Sequence, residues 1–466
     1  MTVVFCGICP HPPIAVPEVG GDESVQVEAT RQALLELGRR IRDSGAETVV
    51  IISPHATVFR NVIGINTVPV LQGDLGRFLA SEVKFEREND LDLAGAIKEQ
   101  AAELGLEVLE LTADMEKGHD ITLDLDHGVT VPLYFLQKAG VEVPLVHVSM
   151  AVGPPERLCF FGQAVRRAAR SLGRKTALLA SGDLSHCLAA GAPGGYNPRG
   201  AEFDRKLAAL LAGPDAKKII KMDPALVRQA AECGYHAIVM MLGALDGYEL
   251  EAEVLSYEGP FGVGYLVAAY RPAGIGGEQS FLNRLQSQRR EEVENRRAGE
   301  SFLVRLARET LERHVKRMPR PEITGIPEEF KGRAGTFVSI KKHGVLRGCI
   351  GTIEPVTSSI VDEVMANAVK TGVHDPRFQP VQKQELDDLE YSVDVLQPPE
   401  PVTGVEQLDP GKYGVIVRAG AKKGLLLPDL EGVDSAGEQV AIVRQKAGIG
   451  PDEPVMLERF KVARYK

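Results

Sequence analysis

His11, His55 and the pair Asp183/His186 each stand just beyond a short apolar run. The runs are Val3-Val4-Phe5-Cys6-Gly7-Ile8-Cys9, Thr48-Val49-Val50-Ile51-Ile52 and Thr176-Ala177-Leu178-Leu179-Ala180. Neutral imidazole is the commonest protein metal ligand. Two imidazoles with a carboxylate form the open facial triad of non-haem ferrous enzymes. In Ser181-Gly182-Asp183-Leu184-Ser185-His186 a carboxylate three residues ahead of an imidazole suits an oriented acid/base near neutral pH. The third ligand is read from Ala231-Glu232-Cys233-Gly234-Tyr235-His236, where a helix begins or bends. Helix neighbours point about 100° apart, so Glu232 and Cys233 do not both face one ion. A carboxylate favours Fe2+; a thiolate suits zinc, copper(I) or a less usual iron site.

These residues need a scaffold that brings distant chain segments together. Each apolar run reads as a buried strand. Further strands are expected over residues 61–70, 143–149, 252–257 and 263–270. Helices are expected over 23–43, 92–104, 131–138, 154–171, 202–211 and 223–245. Such alternation predicts a three-layer α/β domain, and parallel strands gather their carboxyl ends on one edge. Residues 119–127 read as a polar loop and 191–200 as a loop or lid. Cys6-Gly7-Ile8-Cys9 has no second pair, so it reads as packed thiols. His119, His147 and His236 read as ordinary core or surface residues.

The 466-residue chain is long enough for two or more domains. Its hydrophobic content of 44% supports sizeable cores. A net charge of −10 argues against generic binding to nucleic acid or anionic membrane. There is no signal-peptide pattern and no apolar stretch long enough for a bilayer. Six cysteines in such a chain do not make a disulfide framework, so a cytoplasmic protein with reduced thiols is expected. The boundaries expected are a first domain over 1–271, a linker over 272–299 and a second domain over 300–466. The second domain opens with a helix over 301–317 and continues as Gly-punctuated short strands, an α+β pattern. Within it Arg347 and Cys349 share a face of a regular strand, where the guanidinium could lower the thiol pKa.

Taken in order, Cys-Pro-His11-Pro-Pro, Ser-Pro-His55-Ala, Asp-His127-Gly-Val, Gly-Asp183-Leu-Ser-His186 and Glu232-Cys-Gly-Tyr-His form a specific set. The set resembles the LigB-type class III extradiol dioxygenases and the related MEMO proteins, over roughly residues 1–271. The resemblance implies a three-layer α/β fold, His11 and His55 as iron ligands, His186 as acid/base and His127 lining the pocket of a small aromatic substrate. In the ring-cleaving enzymes the third ligand is Glu; Cys233 matches the MEMO branch at that place, and Glu232 is one residue off. Leu346-Arg347-Gly348-Cys349-Ile350-Gly351, with Asp375-Pro376-Arg377-Phe378, resembles the AMMECR family over residues 300–466. That implies a two-subdomain α+β fold with Arg347 and Cys349 in a groove. A chain joining both resembles the AmmeMemoRadiSam system protein A family, whose name implies a radical SAM partner.

Overall fold

The computed structural model describes residues 1–118, 121–276, 280–342, 344–430 and 432–466, so His119 and His343 lie outside the described residues. The chain divides into two compact units, Met1–Arg289 and Arg290–Lys466.

The first unit is built on an eight-stranded sheet. Val3–Cys9, Thr176–Ser181, Thr48–Ser53 and Leu145–Ser149 lie side by side at its middle, all parallel. Every residue of Thr48–Ser53 and Thr176–Ser181 is buried. Helices on both faces leave no wet side, which is why these strands read as unbroken apolar runs. Successive side chains serve opposite cores. Cys6, Ile8, Val50, Ile52, Leu178 and Ala180 pack under the helices Leu91–Glu103, Phe160–Leu172 and Tyr235–Leu245. Phe5, Cys9, Val49, Ile51, Ala177 and Leu179 pack against Glu28–Asp43 and His127–Lys138. The three-layer expectation holds. Cys6 and Cys9 lie in different cores, one on each face of the sheet, so the CxxC pair is not a dithiol site. All six cysteines are free.

Antiparallel strands complete the sheet: Tyr265–Ile275 and Tyr248–Glu258 on one side, Val62–Asn66 on the other, with Glu107–Leu111 pairing parallel to the last. Four local differences from the sequence reading matter. The helix expected over 23–43 starts at Glu28, after a 3-10 segment Gly21–Val27. The helix expected over 223–245 is two, Pro224–Ala230 and Tyr235–Leu245, parted at Ala231, whose φ is 50°. The hairpin Val70–Leu75/Ala80–Glu88 was not expected at all. In the stretch read as a linker over 272–299, the strand Tyr265–Ile275 runs on and a helix spans Phe281–Ala298.

The second unit carries two four-stranded antiparallel sheets. Helices Phe302–Val315 and Ile360–Val373 bury Leu303, Leu311, Val364 and Ala368 against Val338, Ile340 and Val393 of the first sheet. Helix Ala436–Ala447 buries Val440 and Val443 against Val415 and Val417 of the second. This is the two-part α+β pattern. Among the described residues no helix is long and apolar enough to cross a membrane.

Candidate metal centre

The parallel strands end on one edge, and the chemistry collects there. Cys9 pairs with Ser181 and Ala180 with Ile52, so His11, Asp183 and His55 leave the sheet side by side. His11 is buried, and its Nδ1 lies 2.8 Å from Ser181 Oγ. That contact aims Nε2 outward, toward His55 Nε2 at 3.0 Å. The His55 and His127 rings stack at 4.2 Å, and both meet His11 edge-on. Helix His127–Lys138 starts at this point because Asp126 caps it: its Oδ1 accepts Gly128 N at 2.7 Å and Ser53 Oγ at 2.6 Å.

Cys233 arrives from the broken helix. Ala231 takes the left-handed backbone that closes Pro224–Ala230, and Gly234 then lies against Gly182 so closely that a Cβ on Gly182 would stand 2.1 Å from Gly234 Cα. This approach hangs Cys233 over the sheet edge, where its Sγ accepts Asp183 N at 3.3 Å and lies 3.7 Å from His11 Nε2. Glu232 turns elsewhere: its carboxylate accepts Tyr235 N at 2.5 Å at the start of the next helix. The two candidates thus part, with Cys233 at the centre and Glu232 outside it.

His11, His55 and Cys233 each offer one donor atom within 4.8 Å of the others. Metal–N bonds of about 2.1 Å and metal–S bonds of about 2.3 Å place neighbouring ligands about 3.0–3.6 Å apart. The observed 3.0 Å lies within that range and 3.7 Å just beyond its upper end, so the residues fit a metal ion with a small inward shift of the sulfur. Burial, and then His55, push the His11 pKa down to about 3, which keeps the ring neutral and able to ligate. The Cys233 thiol is pushed up by burial and by Asp183, a cost that a bound cation would offset.

Asp183 faces the centre. Its Oδ1 accepts His11 N at 2.9 Å, and burial raises its pKa to about 6. His186 follows on a segment held by Asp204, whose Oδ1 accepts Ser185 N and whose Oδ2 accepts Tyr257 Oη, each at 2.8 Å. Burial lowers the His186 pKa against the pull of Asp183. Among the described residues its Nε2 has no hydrogen-bond partner. The loop read as a lid is tied back here, with Gly194 N donating to His186 O at 2.8 Å and Asn197 N to Cys187 O at 2.9 Å.

The unexpected hairpin supplies a wall. Phe78 meets His127 edge-on at 5.4 Å, and a cleft of about 600 Å³ runs past His55 and His127 between Phe78, Arg77, Lys84 and Asp126. Its signal was present in Ser81-Glu82-Val83-Lys84-Phe85-Glu86, a period-two alternation. His147 is buried, 3.6 Å from Asp126 Oδ2. With Ser53 it holds the Asp126 carboxyl well below the usual range, although burial acts to raise it.

In the second unit Arg347 and Cys349 turn to different partners. A bulge at Arg347 interrupts the pairing of Val345–Gly351 with its neighbour. Arg347 turns to Glu385, with Nε at 3.1 Å and Nη2 at 3.0 Å, while Cys349 Sγ accepts Ser339 Oγ at 3.1 Å. Burial pushes the Cys349 thiol up, and the guanidinium opposing that is Arg377.

Residues 6–268 match the family described as the catalytic LigB subunit of aromatic ring-opening dioxygenase, and residues 304–466 match AMMECR1. Protein CA_C1420 of Clostridium acetobutylicum is 40% identical over 464 residues, covering 98% of each chain. An uncharacterized protein of Escherichia coli K12, JW3007, aligns over 57% of this chain and 99% of its own at 16% identity, with a TM-score of 0.36. Uncharacterized protein PH0010 of Pyrococcus horikoshii aligns over 35% of this chain and 88% of its own at 34% identity, with a TM-score of 0.33. The chain belongs to the family in which a LigB domain is followed by an AMMECR1 domain.

Proposed function

We propose that the first domain is a non-haem Fe2+ oxidoreductase of the extradiol type, acting on a small phenolic substrate in the cytoplasm. The observation that carries this reading is the convergence of His11, His55 and Cys233 beside an open cleft that His127 and Phe78 flank. His11, His55 and Cys233 would hold the ion, which when bound supplies the redox chemistry joining dioxygen to a phenolate. The chain's own part is binding and proton handling. Phe78 and His127 offer ring faces and edges to an aromatic substrate. His186, neutral and with an Nε2 that has no partner among the described residues, takes the phenolic proton and returns it later in the reaction; Asp183 beside it favours the charged ring in between. The test is dioxygen uptake by the iron-loaded protein with catechols. Uptake that His186→Ala abolishes supports the reading; no uptake with any catechol sinks it.

One observation favours a second reading. The sulfur of Cys233, not the carboxylate of Glu232, faces the two imidazoles, and thiolate with imidazole also suits copper or zinc. In that reading the domain is a MEMO-like metal-binding accessory to a radical SAM partner and performs no oxygenation. Unaltered capture of such a partner by the His186→Ala protein, with no dioxygen uptake by wild type, would decide for it.

A further inference from the structure

Cys233 stands in two donor groups, not one. Its sulfur is grouped with His11 and His55 on one side and with Asp183 and His186 on the other, the donor atoms of each group lying within 4.8 Å of one another. We propose that the centre takes a second divalent cation, held by Asp183, His186 and Cys233, with the Cys233 sulfur shared between the two positions.

Three observations carry this. First, the five donors do not form one group within that distance, although ligands on opposite sides of one ion stand only about 4.2 Å apart. One ion does not collect them all. Second, His186 Nε2 is buried and, among the described residues, has no hydrogen-bond partner. A buried polar atom left so is destabilising, and a cation is a partner that imidazole nitrogen accepts. Third, Asp183 is 7% exposed and spends Oδ1 on His11 N, while Oδ2 looks into the centre, 3.8 Å from His11 Nε2. A carboxylate and a shared thiolate bring the negative charge that two adjacent cations need. Two-metal sites with ions about 3.5–4 Å apart are built in this way. The mixed N, O and S donors select a borderline divalent ion such as zinc, cobalt or ferrous iron over calcium or magnesium.

The second ion has a consequence for the first. His186 Nε2 holds either a proton or a metal, so filling the second position removes the acid/base group and shuts the centre down. That consequence rests on the oxidoreductase reading; the two-ion count does not.

The test is a titration of the full-length metal-free protein with Co2+, followed by metal analysis and by the thiolate-to-cobalt absorption band. Wild type is expected to take two equivalents, His186→Ala one with the band retained, and His55→Ala to lose the tighter equivalent. His186→Gln, which keeps side-chain bulk, is expected to behave like His186→Ala. Saturation of wild type at one equivalent overturns the inference, as do two equivalents in both His186 variants. In a parallel arm, Zn2+ is added to protein holding one equivalent of Fe2+, and dioxygen uptake with catechol should fall as zinc fills the second position. Two equivalents with no uptake at any loading would overturn the oxidoreductase reading and leave the second site standing.

Discussion

Gly182→Ala tests how the third donor is positioned. The new Cβ would stand 2.1 Å from Gly234 Cα, with Gly234 N at 3.1 Å. Carbon atoms settle about 3.5–4.0 Å apart, so the segments must part by roughly 1.5 Å. Both neighbours are backbone, and no side chain can rotate away. Overpacking of this kind costs about 1–3 kcal/mol of stability. The larger effect falls on the metal, because ligand distances tolerate only about 0.2 Å. Cys233, carried by Gly234, leaves the reach of His11 and His55, and affinity should fall by at least the roughly 10–100-fold that loss of a ligand's support produces. Competition titration with Co2+ reads the affinity, and the thiolate band reads the sulfur. Gly95→Ala is the control: nothing lies within 4 Å of its added Cβ, within helix Leu91–Glu103. It should leave affinity unchanged and add about 0.5–1 kcal/mol of stability. Wild-type affinity with an intact thiolate band in Gly182→Ala would refute the positioning argument.

Three further outcomes are expected. Leu79 is 96% exposed with φ 64°, so Leu79→Gly should raise stability by about 1 kcal/mol in urea unfolding. Asp204→Ala strips the acceptor from Ser185 N and Tyr257 Oη; calorimetry should show a loss of about 2–3 kcal/mol, and dioxygen uptake should drop with it. Burial would raise the Glu385 pKa from its ordinary 4.5, but Arg347 and Lys342 hold it down to about 2. A depressed carboxyl stabilises the fold above its unfolded value and loses that contribution as pH falls through about 2. The deficit of Glu385→Gln should therefore be about 3 kcal/mol at pH 7 and shrink steadily below pH 4.5, as measured by denaturant unfolding at each pH.

The sheet was legible because burial on both faces writes itself as short apolar runs, and parallel order then follows from the alternating helices. His11, His55 and Asp183 could be placed on one edge from those runs alone. The choice between Glu232 and Cys233 could not, since it turns on a left-handed Ala231 and a Gly182–Gly234 contact between residues some fifty positions apart. Local propensity carries no trace of either. The hairpin that walls the cleft did leave a trace, the alternation around Val83 and Phe85, but the charged residues between them kept it from standing out as an apolar run. For Arg347 and Cys349 the obstacle was different: one bulge breaks the strand alternation on which a shared face depends.

The most direct measurement is metal content after anaerobic purification of wild type, Cys233→Ala and Glu232→Ala. With Cys233 at the centre and Glu232 capping the following helix, wild type and Glu232→Ala should retain metal and Cys233→Ala should lose it. Metal retained by Cys233→Ala and lost from Glu232→Ala would contradict the ligand assignment, and a wild type that binds no metal would contradict the centre itself.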